Sequence, residues 1–155
     1  MSQKKINIGV AGATGYVGLD LVYWLSNHPR VNIKYLCATK SIGKSISFFD
    51  KRIKKKLPRI SNINSIKLEN IDLLFLSLPN GEAQKIVKKN IKHKKLKFID
   101  LSADFRLKNI QKYKKYYKQN HKAKKLIKEA IYSITELKKK DLKNYRIIAN
   151  PGCYP

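Results

Sequence analysis

Short apolar runs alternate with amphipathic stretches along this chain. Residues 6–11, Ile-Asn-Ile-Gly-Val-Ala, are β-branched, apolar and followed by glycine, which predicts a buried strand. Val17, Leu21, Val22 and Leu25 then recur at helical spacing until Asn27-His28-Pro29 stops the helix. Residues 31–38 predict a second strand. Residues 42–66 are irregular and basic, with Pro58 among them, and predict a long excursion. Order returns at residues 71–78, a near-continuous apolar run of the kind found in a central parallel strand covered on both faces. Pro79-Asn80-Gly81 turns the chain into a helix whose Ala83, Ile86, Val87 and Ile91 share one face, and residues 96–101 predict another strand. The last apolar run ends at Ala149. This alternation predicts an α/β fold with a doubly wound, mainly parallel sheet and right-handed crossovers.

Composition changes the picture little. A chain of 155 residues, 43% hydrophobic, is long enough to bury one good core, so one globular domain is expected. No apolar run approaches the roughly 20 residues of a membrane span, and no signal-peptide core follows Met1, so a cytoplasmic protein without membrane partners is expected. Cys37 and Cys153 have no metal-ligand spacing; no metal site is expected, and Cys37, inside a strand, reads as core. The formal charge of +25 invites a nucleic-acid reading. Against it, arginine occurs only at positions 30, 52, 59, 106 and 146, and the lysines are scattered over every predicted surface. Arginine would be expected at phosphate and base contacts. The densest segments, 51–56 and 112–128, the latter interleaved with Tyr113, Tyr116 and Tyr117, read as solvated lysine faces, with adventitious polyanion binding at low salt. His28, His93 and His121 read as surface residues.

The chemistry lies in the turns that end the strands. Gly12-Ala13-Thr14-Gly15-Tyr16-Val17-Gly18 stands between a strand and a helix, as in a Rossmann-type dinucleotide-binding unit. Its spacing is G-x-x-G-x-x-G rather than the usual G-x-G-x-x-G. The first glycine permits the tight turn, the middle one lets backbone N–H groups approach a pyrophosphate, and the last allows close helix-to-strand packing. Thr14 could cap the helix, bond a phosphate, or do both. Where an NAD binder places a carboxylate for the ribose 2′-hydroxyl, this chain has Thr39, Lys40, Ser41 and Gly43-Lys44, and no carboxylate before Asp50. Hydroxyls and cations suit a 2′-phosphate, so NADP is the expected cofactor. The candidate cofactor contacts are Gly12, Thr14, Gly15, Tyr16, Val17, Thr39, Ser41, Leu78 and Pro79. Asn150-Pro151-Gly152 turns the backbone sharply and presents Cys153, either as a reactive thiol or as a small buried hydrophobe.

Four pieces taken in order, Gly12 to Gly18, Leu78-Pro79-Asn80-Gly81, Asp100-Leu101-Ser102-Ala103-Asp104-Phe105-Arg106-Leu107 and Ala149 to Pro155, resemble N-acetyl-gamma-glutamyl-phosphate reductase, of the semialdehyde dehydrogenase superfamily. The resemblance spans essentially the whole chain, and Thr135-Glu136-Leu137 also fits. It implies a small-molecule acyl-phosphate substrate, NADPH as reductant, and Cys153 as the nucleophile that carries a thioester. Asn150 and the turn amides would polarise the carbonyl oxygen. Arg106 would clamp the acyl-phosphate oxyanions bidentately, or else pair with Asp104 at the surface. Ser102 would touch phosphate or nicotinamide, or cap a turn. The family also has a second domain with a catalytic histidine, substrate contacts and most of the subunit interface. Residues 1–149 are therefore expected to be the dinucleotide-binding domain and 150–155 the start of the catalytic one, the whole being an N-terminal fragment of a homo-oligomer and inactive alone. An NADP-binding module without catalysis, or a reductase of an aspartyl or aminoadipyl phosphate, are the alternatives.

Overall fold

The computed structural model describes residues 4–138 and 141–152. The chain forms two compact units, Met1–Ser77 and Leu78–Pro155. The first contains β1 (Ile6–Ala11), α1 (Tyr16–Asn27), β2 (Val31–Cys37), the two-residue β3 (Ile60–Ser61) and β4 (Leu73–Leu76). These strands are parallel, in the order β3-β2-β1-β4. Ile8, Val10 and Ala11 of β1 and Leu74, Phe75 and Leu76 of β4 are buried in succession, as strands covered on both faces require. The predicted strands and first helix are present to within one or two residues. Val17 is the exception to the predicted helical face: it is 50% exposed, and Gly18 and Val22 are the buried residues of α1.

The excursion after β2 is irregular as expected, yet anchored. Ile46, Ile53 and Ile60 are buried along it, and β3 adds a short edge to β2 through Leu36↔Ile60 and Cys37↔Ser61. Arg52 ties it to α1: the guanidinium bonds Asp20 and Asp50 and lies 4.8 Å over the Tyr23 ring.

The second unit contains α2 (Glu82–Asn90), β5 (Lys97–Asp100), α3 (Ile110–Tyr117), β6 (Ala130–Tyr132), α4 (Thr135–Lys138) and β7 (Ile147–Ala149). β7 is central to a parallel trio in the order β5-β7-β6, pairing Ile147 with both Phe98 and Ala130. Arg146 holds the trio to the end of α2, its Nη2 donating to the carbonyls of Ile91 at 2.9 Å and His93 at 2.7 Å. The 112–128 segment differs from a uniformly solvated face. Asn109 caps α3 by accepting from Lys112 N–H at 2.9 Å, and Tyr113 is fully buried between exposed lysines. His121 is not a surface residue. It is 2% exposed, its Nε2 is 2.8 Å from the Asp104 carbonyl and its Nδ1 accepts from Ala123 N–H, so the histidine belongs to the core polar network.

Among the described residues no helix is long and apolar enough to cross a membrane. No group of three or more His, Cys, Asp and Glu side chains there could hold a metal ion.

Two glycines of one turn should respond oppositely to alanine. A Cβ on Gly18 would meet the Gly12 carbonyl oxygen at 2.1 Å and Ala13 Cα at 3.0 Å, both backbone atoms, whereas at Gly15 the nearest atom is 3.6 Å away. Gly18→Ala is expected to destabilise the chain by about 2–3 kcal/mol through overpacking. Gly15→Ala should stay within about 0.5 kcal/mol of the parent. Chemical denaturation followed by circular dichroism distinguishes the two.

Candidate functional site

The glycine turn of the first unit is built from the backbone. Gly12 takes φ 81°, a conformation that suits glycine, and its N–H and that of Ala13 both donate to the Cys37 carbonyl, at 2.9 and 3.0 Å. These two amides therefore bind the end of β1 to the end of β2, and are not the ones available to a pyrophosphate. Gly15 is the N-cap of α1. Thr14 consequently does not cap the helix, and no side chain does, so the first-turn amides of Tyr16, Val17 and Gly18 are left at the positive end of a 12-residue helix with no acidic side chain in its first turn. Such an uncapped helix start suits an anionic group such as a diphosphate. Gly18 packs against the Gly12 carbonyl as the third glycine of the motif should. Tyr16, 94% exposed, lies at the same helix end.

Beyond β2, Thr39 and Lys40 are exposed, Ser41 takes φ 64° and Gly43 φ 83°. The loop is clipped to β3 by Gly43 N–H to the Ile60 carbonyl at 2.8 Å and Ile60 N–H to the Lys44 carbonyl at 3.0 Å. Arg59 Nη1 donates to the Gly43 carbonyl at 2.9 Å. Arg59 lies in the irregular excursion, where its one distinguishing mark in the sequence is being an arginine among lysines. Cys37 is buried as expected, and burial pushes its thiol up to about 11.

In the second unit, the loop after β5 folds around two buried carboxylates. Asp100 Oδ1 accepts from Ser102 N–H at 2.9 Å and Ser102 Oγ at 2.6 Å, and Oδ2 accepts from Phe105 N–H at 3.1 Å. Asp104 accepts from Gly81 N–H at 2.7 Å, Gln84 N–H at 3.0 Å, Gln84 Nε2 at 3.2 Å and Tyr113 Oη at 2.7 Å. It thus caps α2 from a distant loop, since Gly81 at the N-cap has no side chain to do so. Burial, then the bond to Asp104, pushes the Tyr113 hydroxyl up, and burial holds His121 down.

Arg106 pairs with neither Asp104 nor any other carboxylate among the described residues. Its Nε donates to the Asn150 carbonyl at 2.8 Å and its Nη2 to the Leu101 carbonyl at 3.0 Å. The loop after β5 and the turn after β7 are thereby joined, with Asn150 N–H also donating to the Asp100 carbonyl at 2.8 Å. Nη1 is directed along this turn: a Cβ on Gly152 would lie 2.8 Å from it. Nε and Nη2 each donate to a backbone carbonyl, and among the described residues Nη1 has no hydrogen-bond partner. The Ser102 hydroxyl is engaged in the turn, donating to Asp100 and accepting from Asp104 N–H at 3.2 Å, and is 6% exposed in all. Leu78 and Pro79 lead into α2, where the Pro79 carbonyl accepts from Glu82 N–H. Cys153 lies outside the described residues.

Desolvation raises the Asp100 carboxyl from 3.8 to about 6, with its Ser102 bonds opposing and Asp104 adding to the rise. Below about pH 4 the group is protonated folded or unfolded; between there and about pH 6 the folded chain keeps a proton that the unfolded chain releases. Its contribution to stability is therefore complete at low pH and declines as pH rises through that window, by on the order of 3 kcal/mol. Asp50 works in the opposite direction: its bonds with Arg52 lower its carboxyl, so its contribution is complete above the ordinary carboxylate range and is lost as pH falls below it. Urea denaturation across pH 4–6.5 should show the decline in the parent chain and its loss in Asp100→Asn. Asp104→Asn puts amide hydrogens against donors and is expected to destabilise by about 3–5 kcal/mol at pH 7.

The chain matches the family described as "Semialdehyde dehydrogenase, NAD binding domain" over residues 7–145. It is 46% identical over 153 residues to N-acetyl-gamma-glutamyl-phosphate reductase of Ehrlichia ruminantium (strain Gardel), and 43% identical over 150 residues to that of Campylobacter jejuni (strain RM1221). Each alignment covers 97% of this chain, which spans 43% of the length of each relative. Among solved structures, aspartate semialdehyde dehydrogenase II of Vibrio cholerae superimposes with a TM-score of 0.66 at 19% identity, covering 97% of this chain and 39% of that one. The aspartate semialdehyde dehydrogenase of Candida albicans solved with NADP gives a TM-score of 0.59 at 18% identity, over 94% of this chain and 42% of that one. These likenesses bear out the doubly wound parallel fold and the resemblance read from the four motifs. The chain belongs to the semialdehyde dehydrogenase family of NAD-binding domains.

Proposed function

We propose that this chain is the nucleotide-binding portion of an NADPH-dependent reductase that converts N-acetyl-gamma-glutamyl phosphate to the semialdehyde and phosphate, a step of arginine biosynthesis. Supporting the substrate are the names of the relatives, which are 43–46% identical over nearly the whole chain. The observation that carries the reaction type is the Arg106 bond to the Asn150 carbonyl, because it ties an anion-seeking guanidinium to the turn that leads into Cys153.

The roles follow from chemistry. The Cys153 thiolate attacks the acyl carbon, the C–O bond to phosphate breaks, and a thioester forms as phosphate departs. Arg106 Nη1 stabilises the leaving oxyanion, and Asn150 with the turn amides bonds the carbonyl oxygen as its charge grows. NADPH, when bound, supplies hydride to the thioester carbonyl. Collapse then breaks the C–S bond, and the thiolate returns. Sulfur suits both halves, being a strong nucleophile and a good leaving group. On the cofactor side, the uncapped start of α1, with Gly12, Thr14, Gly15, Tyr16 and Val17, would hold the diphosphate, and Thr39 and Ser41 the adenosine ribose. Residues beyond the span shared with the relatives would supply the proton-transferring histidine and the oligomer interface, so the isolated chain should turn over negligibly. Two cysteines in the whole sequence, with no spacing of a disulfide framework, support a reducing, cytoplasmic setting.

Two measurements test this. Titration of the chain with NADPH should show saturable binding that Gly15→Asp weakens at least tenfold, by placing a carboxylate at the diphosphate. Incubation with N-acetyl-gamma-glutamyl phosphate without NADPH should release phosphate once and leave an acyl group on Cys153, found by peptide mass spectrometry and lost in Cys153→Ser. Acylation of Cys37 instead, or nucleotide binding with no acylation at all, would reduce the chain to an NADP-binding module.

A further inference from the structure

Resting on the reading of the first unit as a nucleotide site, we infer that Arg59 is the residue by which this chain selects a nucleotide bearing a 2′-phosphate. The ribose of a nucleotide held at α1 lies past the end of β2, where selection between a 2′-hydroxyl and a 2′-phosphate is made by the local charge. From Cys37 to Phe49 there is no carboxylate, and Asp50, the first one reached, is held by Arg52 through its Nε and Nη2. Nothing there accepts from a 2′-hydroxyl as a carboxylate would.

The cations near this loop are not equivalent. Lys44 lies with its Nζ 4.7 Å over the Phe48 ring, which occupies it as a cation–π donor. Lys40 is exposed on a flexible stem. Arg59, although remote in sequence, is brought to the loop by the clip between Gly43, Lys44 and Ile60, and its Nη1 bond to the Gly43 carbonyl fixes where the guanidinium sits. Among the described residues this is the only hydrogen bond of the Arg59 side chain, so the rest of the fork is open to a ligand. A guanidinium anchored by one nitrogen meets a phosphate monoester with the others, at little further cost in side-chain entropy. Ser41, in the left-handed region at φ 64°, and Thr39 add hydroxyls on the same loop.

The test uses minimal nucleotides, so that nothing beyond the first unit is required: calorimetric titration of the chain with adenosine 2′,5′-bisphosphate and with adenosine 5′-monophosphate. The parent chain is expected to bind the bisphosphate about tenfold more tightly. Arg59→Gln, which can still donate to the Gly43 carbonyl but carries no charge, should abolish that preference while leaving monophosphate affinity unchanged. Arg59→Lys should restore part of it. Lys5→Gln, at the opposite end of β1, should change nothing, which separates selection from the general attraction of a chain of charge +25. A preference that survives in Arg59→Gln, or that falls equally in Lys5→Gln, overturns the assignment of Arg59 alone. Absence of binding by either nucleotide overturns it together with the nucleotide-site reading.

Discussion

A buried carboxylate organises the second unit. Asp104 is fully inaccessible, and an ionised carboxylate without partners would be prohibitively costly there. It is retained because two amides at the start of α2, the Gln84 side chain and the Tyr113 hydroxyl converge on it. Three of these donors come from the start of α2 and the fourth from α3, so satisfying the one carboxylate fixes α2, α3 and the loop after β5 together. His121 bonds the carbonyl of the same residue and stacks edge-on against Phe105 and Tyr113, which extends the network into the apolar core. Among the described residues no buried side-chain nitrogen or oxygen lacks a partner, the condition under which such a network stabilises a fold.

Arg106 depends on that arrangement. With Asp104 occupied by neutral donors and Asp100 by the loop's own amides, the guanidinium meets no carboxylate among the described residues. It turns to carbonyls, Leu101 on its own loop and Asn150 on the next, beside the turn leading to the cysteine. The first unit solves a different problem with fewer side chains. There the Cys37 carbonyl takes two amides from the glycine turn, and the Gly18 contact seats α1 close to it, so the helix begins where its uncapped N–H groups face out. The positive end of α1 at that point is a property of backbone direction rather than of any charged residue.

The strands of the first unit and α1 were legible because their apolar periodicity was strong and bounded by glycine and proline. Much of the second unit was not. β6 has three residues and too little periodicity to announce a strand; it exists because β7 offers it an edge. Tyr113 and His121 sit in a run dense with lysine, where composition suggests solvent, and only their position opposite Asp104 makes them core. Val17 failed as a core residue for the converse reason: helical spacing places it correctly, but the close approach at Gly18 rotates that face away.

By itself the sequence determined the class of fold, the glycine turn, the basic loop after β2, and the family, since these depend on residue type and spacing along one stretch of chain. Tertiary structure decided which groups are free to act. It engaged the Gly12 and Ala13 amides, relieved Thr14 of a capping role, enclosed Ser102 in a turn, turned Arg106 to two backbone carbonyls and brought Arg59 to a loop distant from it in sequence. The physical reason is that a hydrogen-bonding group's availability depends on what else reaches it, and those partners come from other parts of the chain.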